Sequence, residues 1–411
     1  MLFLYDLGIR AYYFLVLLAS LKNKKARAWI EGRRNIIHRI DNEISTENER
    51  AWFHFASLGE FEQGRPVLED FKSQYPGIAI VITFFSPSGY EIRKDYQLAD
   101  HVFYLPLDTP RNAREFVRLV NPSIAVFTKY EYWYHYFKEL HDQDIPLFIV
   151  SGIFRQDQPF FKWYGGLHRK MLIMVSYFFV QNDHSKNLLK KLGITNVGVT
   201  GDTRFDRVAK NISHVTEIPA VKDFCGGSRV FIAGSSWPQD EVLIAGLAER
   251  FSDWKFIIAP HEIDAGHIKA IEKLFPNSVK LSEIKPVTSD KQVLIIDNIG
   301  MLSSLYQYGD IAYIGGGFGA GIHNTQEASA FGLPVIFGPN YDKFQEAIDL
   351  IEKGASFTIK DAEELQQRMS YLEDPAVRNE LGTLAKEYVM SKAGATKIIL
   401  DYIKEQGFFK P

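Results

Sequence analysis

A short apolar run of four to seven residues recurs twelve times along this chain, and a longer amphipathic stretch separates each run from the next. In the first half the runs are Ala51–Ala56, Ile78–Phe84, His101–Tyr104, Ile124–Phe127, Pro146–Ser151, Tyr177–Gln181 and Val197–Thr200. In the second they are Arg229–Gly234, Trp254–Ala259, Val293–Ile296, Ile311–Ile314 and Pro334–Phe337. Strands of that length alternating with helices pack as parallel sheets covered on both faces, an α/β architecture. At 411 residues the chain exceeds what one core usually organises, so two doubly wound, Rossmann-like domains are expected. The polar stretch 208–228, with Pro219 and Gly226-Gly227, reads as the linker between a domain of 35–207 and one of 229–411.

Ligands of such sheets bind outside the carboxyl ends of the strands, so chemistry is sought in the loops that follow them. Glu60 lies on a glycine-containing turn after the first run, placed either as a general base or as an acid at a helix N-terminus. Glu131 follows the run Ile124–Phe127 among Tyr130, Tyr132 and Trp133, and the same two readings stand. Arg204, after Val197–Thr200, suits a carboxylate or phosphate of a ligand, or an ion pair with Asp202 or Asp206. In the second half, Ile311–Ile314 runs into a loop containing Gly315, Gly316, Gly317, Gly319 and Gly321, then His323 and a helical run through Phe331. Such a loop is expected to offer free N–H groups and a positive dipole end to an anion, with Glu327 placed to accept ribose hydroxyls. No Gly-Lys-Ser/Thr follows, so it is not a Walker loop. His261 ends the run Trp254–Ala259 and points where a ligand is expected.

Several classes are disfavoured. A net charge of -3 and a pI near 6.4 do not suit a general nucleic-acid binder. The single cysteine, Cys225, excludes an internal disulfide and reads as a surface-loop thiol. Asp142-Gln-Asp144 precedes a strand and reads as a surface turn, so no metal site and no cofactor are expected. The N-terminus is unusual: residues 1–21 are rich in Leu, Phe and Tyr but interrupted by Asp6 and Arg10. Lys22, Lys24, Lys25, Arg27, Arg33 and Arg34 follow, so residues 1–34 read as an apolar helix with a basic collar at an anionic membrane surface.

The segments His54-x-x-Ser57-x-Gly59-Glu60, Tyr104-Leu-Pro106-Leu-Asp108-Thr-Pro110-Arg111, Glu131-x-Trp133, Thr200-Gly201-x-x-Arg204-Phe-Asp206, His323-Asn324-x-x-Glu327 and Phe337-Gly338-Pro339, in that order, resemble the Kdo transferases. That resemblance runs over nearly the whole chain. It implies the GT-B architecture and transfer of 3-deoxy-D-manno-octulosonic acid (Kdo) from CMP-Kdo to a lipid A precursor at the cytoplasmic side of the bacterial inner membrane. It further implies Glu60 as catalytic base, Glu131 as a second carboxylate that stabilises the reacting state, and Arg204 near the donor where the family usually has lysine. Pro260, His261, Ile299, Gly300, Met301, Gly317, Gly319, His323, Asn324, Thr325, Gln326 and Glu327 fall on segments expected to hold CMP. The chain departs from the family where Pro260 is followed directly by His261, losing an arginine, in the loop Thr83–Gly89, and at Tyr134, which replaces a proline. Two rival readings are a sugar-nucleotide epimerase of the same architecture, expected to lack a membrane segment, and a non-catalytic membrane-associated binding protein, which would not require paired carboxylates after strands.

Overall fold

The computed structural model describes residues 1–44, 49–213, 215–284 and 290–409. Seven short strands build the first sheet: β1 (Arg50–Phe55), β2 (Ala79–Phe84), β3 (His101–Tyr104), β4 (Ile124–Thr128), β5 (Leu147–Gly152), β6 (Tyr177–Val180) and β7 (Val197–Val199). They lie in the order β3-β2-β1-β4-β5-β6-β7 and every pairing is parallel. All residues of β1, β2, β4 and β5 are buried, as helices on both faces require, and this explains why these strands read as unbroken apolar runs. Gly64 of the helix Leu58–Gln74 lies so close to the sheet that a Cβ there would meet the Phe55 ring at 2.5 Å and Thr128 Oγ1 at 2.6 Å.

The second sheet comprises β8 (Val230–Ser236), β9 (Lys255–Pro260), β10 (Ser278–Lys280), β11 (Val293–Ile295), β12 (Ile311–Ile314), β13 (Val335–Phe337) and β14 (Ser356–Thr358). Their order is β10-β11-β9-β8-β12-β13-β14, again wholly parallel. Each sheet thus reverses its winding once, between β1 and β4 and between β8 and β12. The two-domain α/β fold of the GT-B type expected from the sequence is the observed one. Strands β10 and β14 escaped the sequence reading, because three residues at or near a sheet edge carry too little apolar pattern to announce a strand.

The chain divides into one compact unit of residues 1–207 and 393–411 and a second of residues 208–392. Two expectations are corrected by this. The stretch 208–228 is no polar linker: its helix Pro219–Cys225 buries Val221, Phe224 and Cys225 in the second core, so Cys225 is a core thiol whose pKa burial raises to about 12. The chain end does not stay with the second domain either. Helix Ala395–Glu405 buries Ile399, Leu400 and Ile403 against the first domain's Phe148 and Phe179. Asp206 fastens that helix by accepting hydrogen bonds from the Gly394 and Thr396 amides and the Thr396 hydroxyl.

Residues Leu2–Ser20 form one continuous helix despite Asp6 and Arg10. Both polar groups on its inner face are engaged by the first domain: the Tyr5 hydroxyl donates to Asp108, and Asp6 Oδ1 lies 2.7 Å from His135 Nε2. Its outer face leaves Phe3, Leu4, Leu7, Phe14, Leu15 and Leu18 exposed.

Candidate active site

A doubly wound sheet opens a crevice at the strand ends where its winding reverses, and in the first domain those ends belong to β1 and β4. Glu60 and Glu131 follow these two strands. Ser57 stands at the N-cap of helix Leu58–Gln74 but does not cap it; its hydroxyl donates instead to Glu60 Oε2, in the first turn. The half-buried Glu60 is therefore held by a local hydroxyl, at a helix end that favours negative charge.

Glu131 is held from the opposite direction. His54 pairs in register with Thr83 on β2, and Trp52 shares its face of β1 because side chains alternate along a strand. Thr83 Oγ1 accepts from Trp52 Nε1 at 2.8 Å and stands 2.8 Å from His54 Nδ1; His54 Nε2 is 3.2 Å from Glu131 Oε2, which also accepts from Trp133 Nε1 at 2.8 Å. An indole nitrogen only donates, so one assignment leaves every group satisfied: Thr83 donates to Nδ1, and His54 donates its Nε2 proton to Glu131. All three side chains behind Glu131 are fully buried. Trp133 continues outward through Phe85, at a ring separation of 4.8 Å, to Tyr12 of the N-terminal helix at 6.1 Å. An aromatic path thus connects that helix to Glu131.

Arg204 makes the ion pair that the sequence left as one option: its Nε and Nη2 reach Asp202 Oδ2 at 2.9 and 2.7 Å. The pairing, with further hydrogen bonds from the Arg204 amide and Gln63, keeps the buried Asp202 below the usual carboxylate range although desolvation opposes it. Burial raises the Tyr130 phenol; Arg155 opposes that rise, Glu60 adds to it, Arg204 opposes it and Asp202 adds to it. Tyr130 is one of the aromatics noted around Glu131 in the sequence, whereas Arg155 does not stand out there, since an exposed arginine in a loop carries no spacing signal.

In the second domain the corresponding ends are those of β8 and β12. A cavity of about 160 Å³ there gathers Pro260, His261, Ile299 and Gly300 with Ser235 and Asn298. Beside it His261 stacks on His323 at 4.3 Å and on Trp237 at 4.9 Å, and Trp237 Nε1 donates to His323 Nε2 at 3.0 Å. Burial, helped by His261, lowers the His323 pKa to about 4, so this imidazole is neutral at physiological pH with its proton on Nδ1. Trp237, which opens the loop after β8, was not singled out in the sequence.

The glycine-rich loop is more self-contained than expected. The Gly316 amide donates to the buried Asp240, those of Gly319 and Gly321 to the Gly316 carbonyl, and that of His323 to the Gly315 carbonyl. Gly315 and Gly317 are required by packing, because a Cβ would meet Ser235 O at 2.2 Å or the Gly338 backbone at 2.6 Å. The helix that follows spans only Gln326–Ala330, so its dipole is small. Thr325 and Gln326 are fully buried, whereas Met301, Asn324 and Glu327 are half-buried and Gly319 is exposed. Asn324 Nδ2 donates to Glu327 Oε1 at 3.3 Å, and Asn324 Oδ1 accepts from the Gln326 amide at 2.9 Å. Both glutamates of the first domain thus follow the strands at its switch point, and in the second domain Pro260, His261, Ile299 and Gly300 share one cavity with His323 stacked on His261 beside it.

Residues 30–207 match the family model described as 3-deoxy-D-manno-octulosonic-acid transferase (kdotransferase). That match falls on the first domain. Over nearly its full length the chain is also similar to curated relatives. It is 26% identical to the 3-deoxy-D-manno-octulosonic acid transferase of Haemophilus influenzae, covering 86% of each protein. It is 24% identical to that of Rickettsia bellii, covering 98% of this chain and 97% of the relative. Among solved structures, the UDP-GlcNAc 2-epimerase of Neisseria meningitidis superposes with a TM-score of 0.63 at 16% identity, over 87% of this chain and all of that one. A glycosyltransferase from Rickettsia africae does so with a TM-score of 0.56 at 13% identity, over 87% of this chain and 98% of that one. At those identities the superpositions establish the shared fold.

Proposed function

We propose that this chain is an inverting glycosyltransferase that moves Kdo from CMP-Kdo to a lipid A precursor at the cytoplasmic face of the inner membrane. The observation that carries the reading is Glu60: a half-buried carboxylate steadied by Ser57, at the switch point of the domain that matches the Kdo transferase model. In the proposed step Glu60 takes the proton from an acceptor hydroxyl, whose oxygen attacks the anomeric carbon of Kdo from the face opposite the phosphate. The bond to phosphate breaks and CMP leaves. Glu131, oriented by His54 and Trp133, stabilises positive charge developing on the sugar. In the second domain the Asn324–Glu327 segment is proposed to meet the departing phosphate and the cavity at Pro260, His261, Ile299 and Gly300, with Met301 next in sequence, to receive the nucleoside; Arg204 is proposed as the first domain's cation for the donor. His323, being neutral, contributes no positive charge. Gly317 and Gly319 act by shaping the loop, and Thr325 and Gln326 through their backbone. The acceptor's acyl chains would follow the aromatic path from Tyr12 to Trp133, with residues 1–34 on the membrane surface.

The test is incubation of the full chain with CMP-Kdo and a lipid A precursor, read by mass spectrometry, with UDP-GlcNAc as a parallel substrate. Addition of Kdo to the lipid, persisting in EDTA, is the expected result. CMP-Kdo left unused while UDP-GlcNAc is epimerised would transfer the chain to the other activity found on this fold.

A further inference from the structure

Trp163 is 92% exposed, an extreme value for a large aromatic, and it does not stand alone. Its neighbour Tyr164 is also exposed, with the two rings edge to face at 5.7 Å. They occupy the turn that opens helix Gly166–Ile173. The side chain of Met1 lies over Gly166, since a Cβ on that glycine would find Met1 Cε at 3.5 Å. The aromatic turn therefore borders the first turn of the N-terminal helix. Residues 166, 170 and 173 share one face of the helix by their spacing, and Lys170 and Ile173 are both exposed on it. An apolar stripe with a cation thus continues from the outer face of Leu2–Ser20 across Met1 onto a second element.

From this continuity we infer that the first domain holds the membrane at two places, the N-terminal helix and the Trp163–Tyr164 turn with Ile173, and that the occupant of this surface is an anionic phospholipid bilayer. The inference rests on the membrane reading above and adds a contact to it. Its chemistry fits an interface better than water or a protein partner. Indole and phenol rings settle at headgroup depth, where an apolar body and a polar edge are both satisfied. Lys162 and Lys170 flank the turn, and Lys24, Lys25 and Arg27 follow the N-terminal helix, so the surface matches a negatively charged leaflet. The fastening of Tyr5 and Asp6 to Asp108 and His135 keeps the helix along the domain, which sets the two contacts side by side. Two contacts fix the tilt of a domain on a surface, whereas one leaves it free to rotate.

The test uses the full chain carrying Cys225→Ala, with a single cysteine restored by Trp163→Cys, Phe14→Cys or Val242→Cys and labelled with an environment-sensitive fluorophore. Val242 is an exposed residue of the second domain and serves as the reference. With phosphatidylglycerol vesicles, probes at 163 and 14 should both shift to the blue and be quenched by spin-labelled lipid, while the probe at 242 should not. The double variant Trp163→Ser with Tyr164→Ser, its fold checked by circular dichroism, should bind vesicles about tenfold more weakly. A probe at 163 that stays in water while the probe at 14 enters lipid overturns the second contact and leaves the membrane reading standing. If neither probe enters, both fail.

Discussion

His54 Nε2 stands 3.2 Å from Glu131 Oε2, and behind it Thr83 is the only bridge to Trp52 among the hydrogen bonds described. The role proposed for Glu131 requires a fixed orientation, and a buried strand residue of β1 sets it. Thr83→Val keeps shape but deletes the hydroxyl, leaving Trp52 Nε1 and His54 Nδ1 without partners inside the core. We expect a loss of about 1–3 kcal/mol, the cost of a buried group left unsatisfied, measured by urea denaturation. Turnover should also fall, because His54 becomes free to adopt the other tautomer and withdraw its proton from Glu131. Unchanged stability together with unchanged turnover would show that the network does not hold the carboxylate.

Glu60→Gln preserves the volume of the side chain and its acceptance from Ser57 while removing its ability to take a proton. Turnover is expected to drop by about 10²-fold or more, with CMP binding by calorimetry close to that of the parent chain. An active Gln variant would move the base elsewhere in the loop.

The neutral His323 makes a prediction about pH. Its folded pKa, near 4, lies below the ordinary 6.5, so between those values the unfolded chain binds the extra proton and the folded one does not. Stability therefore rises with pH through that window and falls as pH is lowered through it. His323→Gln should flatten this slope, which thermal melts followed between pH 4 and 7 would reveal. His267, raised by its hydrogen bond to Glu241, works in the opposite sense and would remain in the variant as an internal reference. An identical slope in both proteins would mean that His323 is as readily protonated in the folded state as outside it.

The order of elements was readable because the strands are buried on both faces and the helices on one, so burial writes the period of each element into the sequence. The positions of Glu60 and Glu131 after strands were readable for the same reason: those strands could be located, and the loops after them are few. What stayed hidden depends on contacts between distant segments. Nothing near Thr83 announces Trp52 and His54, since their meeting comes from register between strands. The glycines after β12 advertise a phosphate loop, yet Gly315 and Gly317 answer to the backbones of Ser235 and Gly338. The placement of Ala395–Glu405 on the first domain rests on Asp206 and a few aliphatic side chains, a match no local pattern encodes.

The N-terminal helix is held by Tyr5, and this yields a prediction that separates docking from membrane affinity. Asp108 is buried, and desolvation lifts its pKa above the usual carboxylate range against the hydrogen bonds that favour its charge. Those bonds come from the Tyr5 hydroxyl and from the His135 and Tyr136 amides, the latter two at 3.2 Å each. Tyr5→Phe deletes one of the three and leaves the aromatic packing on Tyr134 and His135 in place. A hydrogen bond to a charged group contributes about 1.5–3 kcal/mol, so the helix should detach more often by a corresponding factor. Limited proteolysis in detergent, directed at Lys22, Lys24 and Lys25, should therefore cut the variant about tenfold faster or more, since cleavage follows the population of the opened state. Vesicle binding should change little, because the outer apolar face is untouched. Deleting residues 1–21 outright is a harsher change than the sequence alone suggests: it removes Tyr5 from Asp108 and Asp6 from His135, and the truncated domain should melt at a lower temperature. Equal rates of cleavage in the parent chain and Tyr5→Phe would show that the bond to Asp108 does not hold the helix, and that its aromatic contacts with Trp29 and Phe85 do so instead.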